Sequence, residues 1–168
     1  MYRDLEIKKM EFTNQRFTVS EVASLTETNL NTVQSWRRKG FFDLGASEGW
    51  HRFTLSELFS VAVFAEVSGG TGNQDVASSA CSFAVQMLAE IIESNAAPYF
   101  VGASRKGNDL VMEIAYGSLN VGATLGKLIS EGADAGAYIV VDYSAIFSRL
   151  LKRLHAGGYA MENPNSNV

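Results

Sequence analysis

One cysteine, two histidines and two prolines in 168 residues leave few of the side chains from which small proteins build disulfide frameworks or metal centres. The lone Cys81 has no partner for a disulfide and no neighbouring ligands for zinc, so a disulfide scaffold and a cysteine cluster are excluded. It falls in the series Ala77, Ala80, Cys81, Ala84, Val85 and Leu88, which has the spacing of a buried helix face. The two histidines, His51 and His155, are too few for a metal site. No H-E-x-x-H occurs, no Gly-rich loop ends in Lys-Ser or Lys-Thr, and no serine has an arguable histidine base. No enzyme activity, no catalytic residue, no metal and no cofactor is therefore expected. The longest apolar runs, Val61 to Ala65 and Ala137 to Val141, fall far short of the roughly 20 residues that span a bilayer. The opening MYRDLEIKKM mixes charges of both signs, unlike a signal or transit peptide. A cytoplasmic chain with no membrane partner is the expectation.

What is present is ordinary globular composition, 46% hydrophobic and 19% charged. Low-complexity disorder and collagen are excluded, and a chain of this length buries roughly 70% of its unfolded surface without needing a staple. Fourteen Lys and Arg stand against eighteen Asp and Glu, a net charge of −4. Spread evenly, that balance argues against nucleic acid, because neutralising phosphate supplies most non-specific affinity. Its distribution is uneven.

The Gly-rich stretch Ser68 to Asn73 reads as a linker between unlike halves. In the first, Thr18 and Glu21 form a T-x-x-E capping box opening a helix through Val22 and Leu25. Asn29 caps a second helix, Leu30 to Lys39, which Gly40 ends. Phe41 and Phe42 lead into the loop Asp43 to Gly49, then Trp50-His51-Arg52-Phe53, and a second capping box at Thr54 and Glu57 starts a third helix through Val67. In the second half, Asp75 is expected to cap one long helix to about Ser94, ending at Asn95. Tyr99 to Ala103 and Leu110 to Ala115 pair as a hairpin around Gly107-Asn108. Leu119 to Ser130 is a helix weakened by Gly122 and Gly126, Tyr138 to Val141 is a short strand or the start of the last helix, and Tyr143 to Leu154 is amphipathic. The expected fold class is α+β: residues 1–67 a winged helix-turn-helix, residues 75–156 a small α+β domain with a hairpin and amphipathic helices, and residues 157–168 a disordered tail.

Two short helices joined by a polar turn, the second ending in Arg37-Arg38-Lys39, match the helix-turn-helix plan. The segment Phe17 to Val67, about 50 residues, resembles the winged helix-turn-helix domain of the MerR family and its excisionase-like relatives. Phe17-Thr18-Val19-Ser20-Glu21-Val22-Ala23 corresponds to the first helix, Asn29 to Phe41 to the recognition helix and its exit, and Trp50-His51-Arg52-Phe53-Thr54 to the wing and third-helix start. The resemblance implies that Asn31, Thr32, Gln34, Ser35 and Arg38 approach the major groove of double-stranded DNA, and that Arg37 and the wing Arg52 meet phosphate. Thr18, Lys39, Trp50 and His51 complete the expected DNA-binding set. Residue chemistry agrees: Asn and Gln pair bidentately with adenine, Arg with guanine, and guanidinium groups hold phosphate. Where many family members carry Arg-Tyr-Tyr this chain has Gln34-Ser35-Trp36, and the long coiled coil of the family has no counterpart.

Position resolves the charge. Leu30 to Gly40 holds three cations and no anion, whereas residues 68–168 hold six basic and nine acidic side chains. The competing view of Arg37-Arg38-Lys39 is a solvated helix end opposing the macrodipole, worth about 0.3 to 1 kcal/mol. Trp36 is read as core with Val22, Leu25, Val33 and Phe53. Because one helix-turn-helix buries little DNA surface, a homodimer is expected, paired through Ile146, Phe147, Leu150 and Leu154. An unidentified small-molecule effector remains open. The expected function is sequence-specific DNA binding by a transcriptional regulator. The alternatives are a phage-type architectural protein, such as an excisionase or small terminase subunit, and a protein-interaction or ligand-sensing module without DNA binding.

Overall fold

The computed structural model describes residues 15–41, 51–105 and 110–159. Among them are seven helices and three strands, an α+β arrangement in which helices outweigh a small antiparallel sheet. The loop Asp43 to Gly49, Phe42, Trp50, the Gly107-Asn108 turn and residues 160–168 lie outside the described residues.

Both capping boxes form. Thr18 starts α1 (Val19–Leu25): the Glu21 carboxylate accepts from the Thr18 backbone N–H at 2.6 Å and hydroxyl at 2.8 Å, and the Thr18 hydroxyl accepts from the Glu21 N–H at 3.3 Å. Asn29 caps α2 (Leu30–Arg38) by accepting from the Asn31 N–H at 2.9 Å. After α2 the chain turns at Gly40, whose φ of 72° is cheap only for glycine. Thr54 and Glu57 cap α3 (Leu55–Thr71) in the same reciprocal way. This helix is apolar nearly all round, and Leu58, Phe59, Val61, Val63 and Phe64 are fully buried, so it is the axis of the fold.

The stretch expected to be a linker is therefore helix. Ser68 to Thr71 are the last turn of α3, and the stop comes at Gly72, in the left-handed region at φ 67°. Two mid-helix glycines cost about 1 kcal/mol each, less than the burial of the turns before them contributes. One buried cluster runs without interruption from Phe17, Val22 and Trp36, through α3, to Phe147 and Leu154, across the expected boundary between residues 1–67 and 75–156.

The single long helix expected after the glycines is two: α4 (Gln74–Ser82) and α5 (Ala84–Ser94), bent by 43° at Phe83. The Ser79 and Ser82 hydroxyls donate to the Asp75 and Ser79 carbonyls at 2.9 and 2.7 Å, and such back-bonding competes with the helical ladder. The cap is Asn73, whose side chain accepts from the Asp75 and Val76 N–H groups, rather than Asp75 itself. Asn95, at φ 51°, ends α5 as expected.

The hairpin forms as β1 (Pro98–Arg105) and β2 (Leu110–Tyr116), with Phe100 opposite Ile114. After α6 (Ser118–Ser130) the chain adds β3 (Ala133–Asp142), longer than expected, antiparallel to the other side of β1 with Phe100 opposite Val141. The order is β2-β1-β3. Alternation sends Phe100, Met112, Ile114, Ile139 and Val141 to the helical core, and Val101, Ala103, Val111 and Ala115 to the other face with α6. Gly102 is required here, since a Cβ would lie 2.9 Å from the Phe100 ring.

The last helix, α7 (Tyr143–Ala156), corrects the dimerisation expectation. Ile146, Phe147, Leu150 and Leu154 are all buried inside the protomer, with Phe147 edge-on to Phe59 at 5.7 Å. Its apolar face is the natural cover for α3, and no side chain on it is left for a second chain. Gly157 to Tyr159, expected to begin a disordered tail, are ordered: the Tyr159 N–H donates to Leu154 O at 3.1 Å and the ring lies edge-on to Phe17 at 5.7 Å.

Candidate nucleic-acid interface

The local sequence of α2 divides it cleanly. Val33 and Trp36 point inward, and Trp36 meets Phe64 of α3 edge-on at 4.8 Å. Phe41, just past Gly40, packs on the same ring at 5.1 Å, so the helix is pinned at its C-terminal end. Positions 31, 34 and 38, one helical stripe by spacing, place Asn31, Gln34 and Arg38 outward, and all three are exposed. Thr32, Ser35 and Arg37 flank that stripe half-buried, and Lys39 is exposed beyond it. Among the described residues, Arg37, Arg38 and Lys39 are in no ion pair, whereas Lys127, Arg149 and Arg153 of the second half are held by Glu113, Glu66 and Glu27.

A short β-bridge joins the ends of the N-terminal unit. Phe17 and Phe53 exchange both backbone hydrogen bonds, at 2.8 and 2.7 Å, and both rings are fully buried. Alternation turns their neighbours Arg16 and Arg52 the other way, and both are exposed. Two cations thus sit beside the start of α1, although nearly 36 residues separate them in sequence.

The remaining expected positions differ. The Thr18 hydroxyl is committed to Glu21. The His51 side chain is only 10% exposed, with Nε2 3.3 Å from Glu57 Oε1 and the ring edge-on to Phe53 at 5.0 Å, so it braces the start of α3. Trp50 lies outside the described residues. Glu21 is a hub that local patterning reveals only in part: besides capping α1, it accepts the Tyr159 hydroxyl at 3.0 Å. The Thr18 backbone N–H chiefly holds its carboxyl below the usual range, helped by the Thr18 and Tyr159 hydroxyls and by Arg52, against partial burial. Arg153 also escaped sequence reasoning. Its guanidinium donates to Leu25 O at 3.1 Å and to Glu27, which sits in the turn between α1 and α2 at φ 53°.

Elsewhere, Cys81 is core. Its thiol donates to Ser60 O at 3.4 Å, and burial pushes its pKa up to about 11. Among the described residues no three His, Cys, Asp or Glu side chains converge as metal ligands, and no single helix is long and apolar enough to cross a membrane. Neither a family model nor a curated protein sequence matches the chain.

Proposed function

We propose that the chain is a sequence-specific double-stranded-DNA-binding transcriptional regulator of the winged helix-turn-helix type, resembling the MerR family in its N-terminal part. One observation carries this reading: α2 is anchored by Val33 and Trp36 and presents Asn31, Gln34 and Arg38 as a single outward stripe flanked by Arg37 and Lys39. The major groove is about 12 Å wide and admits a helix, and these side-chain types match base edges there. Arg37, Arg16 and Arg52 serve phosphate, which sets position rather than sequence. The turn is held from behind by Arg153, so the two helices meet the duplex as a rigid pair.

The experiment is a mobility shift on random duplex at low and moderate salt, followed by selection of bound sequences from a random pool. Binding at low salt that weakens steeply with salt supports the proposal, and selection should return a motif that Gln34→Ala relaxes. No shift at low salt overturns it and favours a protein-interaction module built on the same helices.

A further inference from the structure

Strand β3 is an edge strand, and among the described residues no strand pairs with its outer side. Soluble proteins protect such edges with lysine, proline, bulges or short strands, because unpaired backbone N–H and C=O groups recruit other strands. The opposite edge, β2, carries Glu113, tied to Lys127 at 2.8 Å. By contrast β3, whose pairing with β1 shifts register before Tyr138, has neither charge nor proline between Asp134 and Asp142, and Tyr138 and Val140 are 36% and 45% exposed. A groove of about 420 Å³ follows this edge, walled by Val67, Gly70 and Thr71 of α3 and by Ala145, Ile146 and Arg149 of α7. Gly70 leaves open space: a Cβ there would meet no atom within 4 Å.

We propose that the outer edge of β3 pairs with β3 of a second copy of this chain across a two-fold axis, merging two three-stranded sheets into one of six. A bare strand edge is completed by the backbone of another extended strand. A second copy fits because an antiparallel edge is its own complement under two-fold symmetry. The regular part of the strand selects the register. Pairing with β1 runs unbroken only from Tyr138 to Asp142, so the axis falls at Val140, the middle of that run, setting the two Val140 positions opposite each other and each Tyr138 opposite the second copy's Asp142. The groove gives the incoming strand a wall on its helical side. This pairing uses none of the α7 face and stands independently of DNA binding.

Sedimentation equilibrium of the full chain at tens of micromolar, with circular dichroism to verify folding, tests it. Wild type should sediment as a dimer. Val140→Lys, which sets two cations face to face at the axis, should sediment as a monomer. Gly70→Arg, whose Cβ meets no atom within 4 Å, should weaken the dimer by filling the groove. Val140→Cys, in a chain whose native thiol is buried, should form a covalent dimer on mild oxidation, and this variant decides the matter if Val140→Lys fails to fold. A monomeric wild type overturns the proposal, including one whose edge is covered by the chain itself. A dimer that survives Val140→Lys, or that gives no Val140→Cys crosslink, overturns it too. The mobility shift fails or succeeds separately.

Discussion

Arg52→Ala probes the DNA-binding proposal through the salt dependence of affinity. Arg16 and Arg52 stand together beside the Phe17–Phe53 bridge, and Arg37 lies on the flank of α2, so on the proposed reading three guanidinium groups serve phosphate. Each phosphate neutralised contributes about −0.9 to the slope of log affinity against log salt, so three contacts give about −2.7. Tripling the salt should then weaken binding by about 20-fold in wild type and by about sevenfold in Arg52→Ala, whose slope falls to about −1.8. If two heads share one duplex, both slopes double and their ratio is kept. The assay is fluorescence anisotropy of a labelled random duplex over a salt series, with Lys127→Ala, on α6 against the sheet, as the control. A slope left unchanged by Arg52→Ala, or lowered equally by Lys127→Ala, refutes the placement of Arg52 on the DNA backbone.

Three other outcomes follow from the packing. Leu150, about 1% exposed, faces the core, so Leu150→Ala should cost about 2 to 5 kcal/mol in urea unfolding while leaving the oligomeric state unchanged. Dissociation without loss of stability would return the α7 face to an interface. The Glu21 carboxylate has its pKa lowered by folding, so its ionised form adds stability at neutral pH that is lost as pH falls through that lowered value. Glu21→Gln keeps the cap, and its stability deficit against wild type should be present at pH 7, begin to shrink as pH falls through the ordinary glutamate range, and close once the lowered value is passed; urea midpoints over a pH series check it, and a gap that does not shrink in acid contradicts it. With a pKa of about 11, Cys81 is thiolate in only about one molecule in a thousand at pH 8, against about a quarter for an ordinary thiol. It should resist a disulfide reagent in the native protein and react fully in urea, and fast native labelling would place it at the surface.

Signals confined to a few residues were legible in the sequence. Thr18 with Glu21, Thr54 with Glu57, Asn29 and Asn95 each act through contacts within one turn, and each does what its local chemistry dictates. The inward position of Trp36 followed from the small hydrophobic centre it can form with Val22, Leu25, Val33 and Phe53. Features set by distant partners were not legible. Gly69 and Gly70 read as slack chain, yet the packing of α3 carries the helix through them. The Ala- and Gly-rich start of β3 has weak strand propensity, and its regular pairing with β1 holds from Tyr138 to Asp142. The face of α7 was visible as apolar, but periodicity cannot say whether its cover is α3 or another molecule. Arg153 reaching the turn and Tyr159 reaching Glu21 span 128 and 138 residues, with no local mark. In the candidate interface, the outward stripe of α2 was readable, while the inward lean of His51 depends on Glu57 and Phe53.

The seventeen residues of α3 have a consequence for how such a chain can be inherited. Many DNA readers are cassettes, a head on a tether that recombination can graft onto a new body. Here the helix that begins at the Phe53 bridge buries Phe59 against Tyr143 and Phe147, far beyond the head. A crossover at Val67 would cut through one core instead of between two, leaving both fragments with raw apolar surface. The unit that folds, and that selection can exchange, takes in both halves of the described residues, and a force applied to α1 and α2 is passed through α3 to the core beneath the sheet.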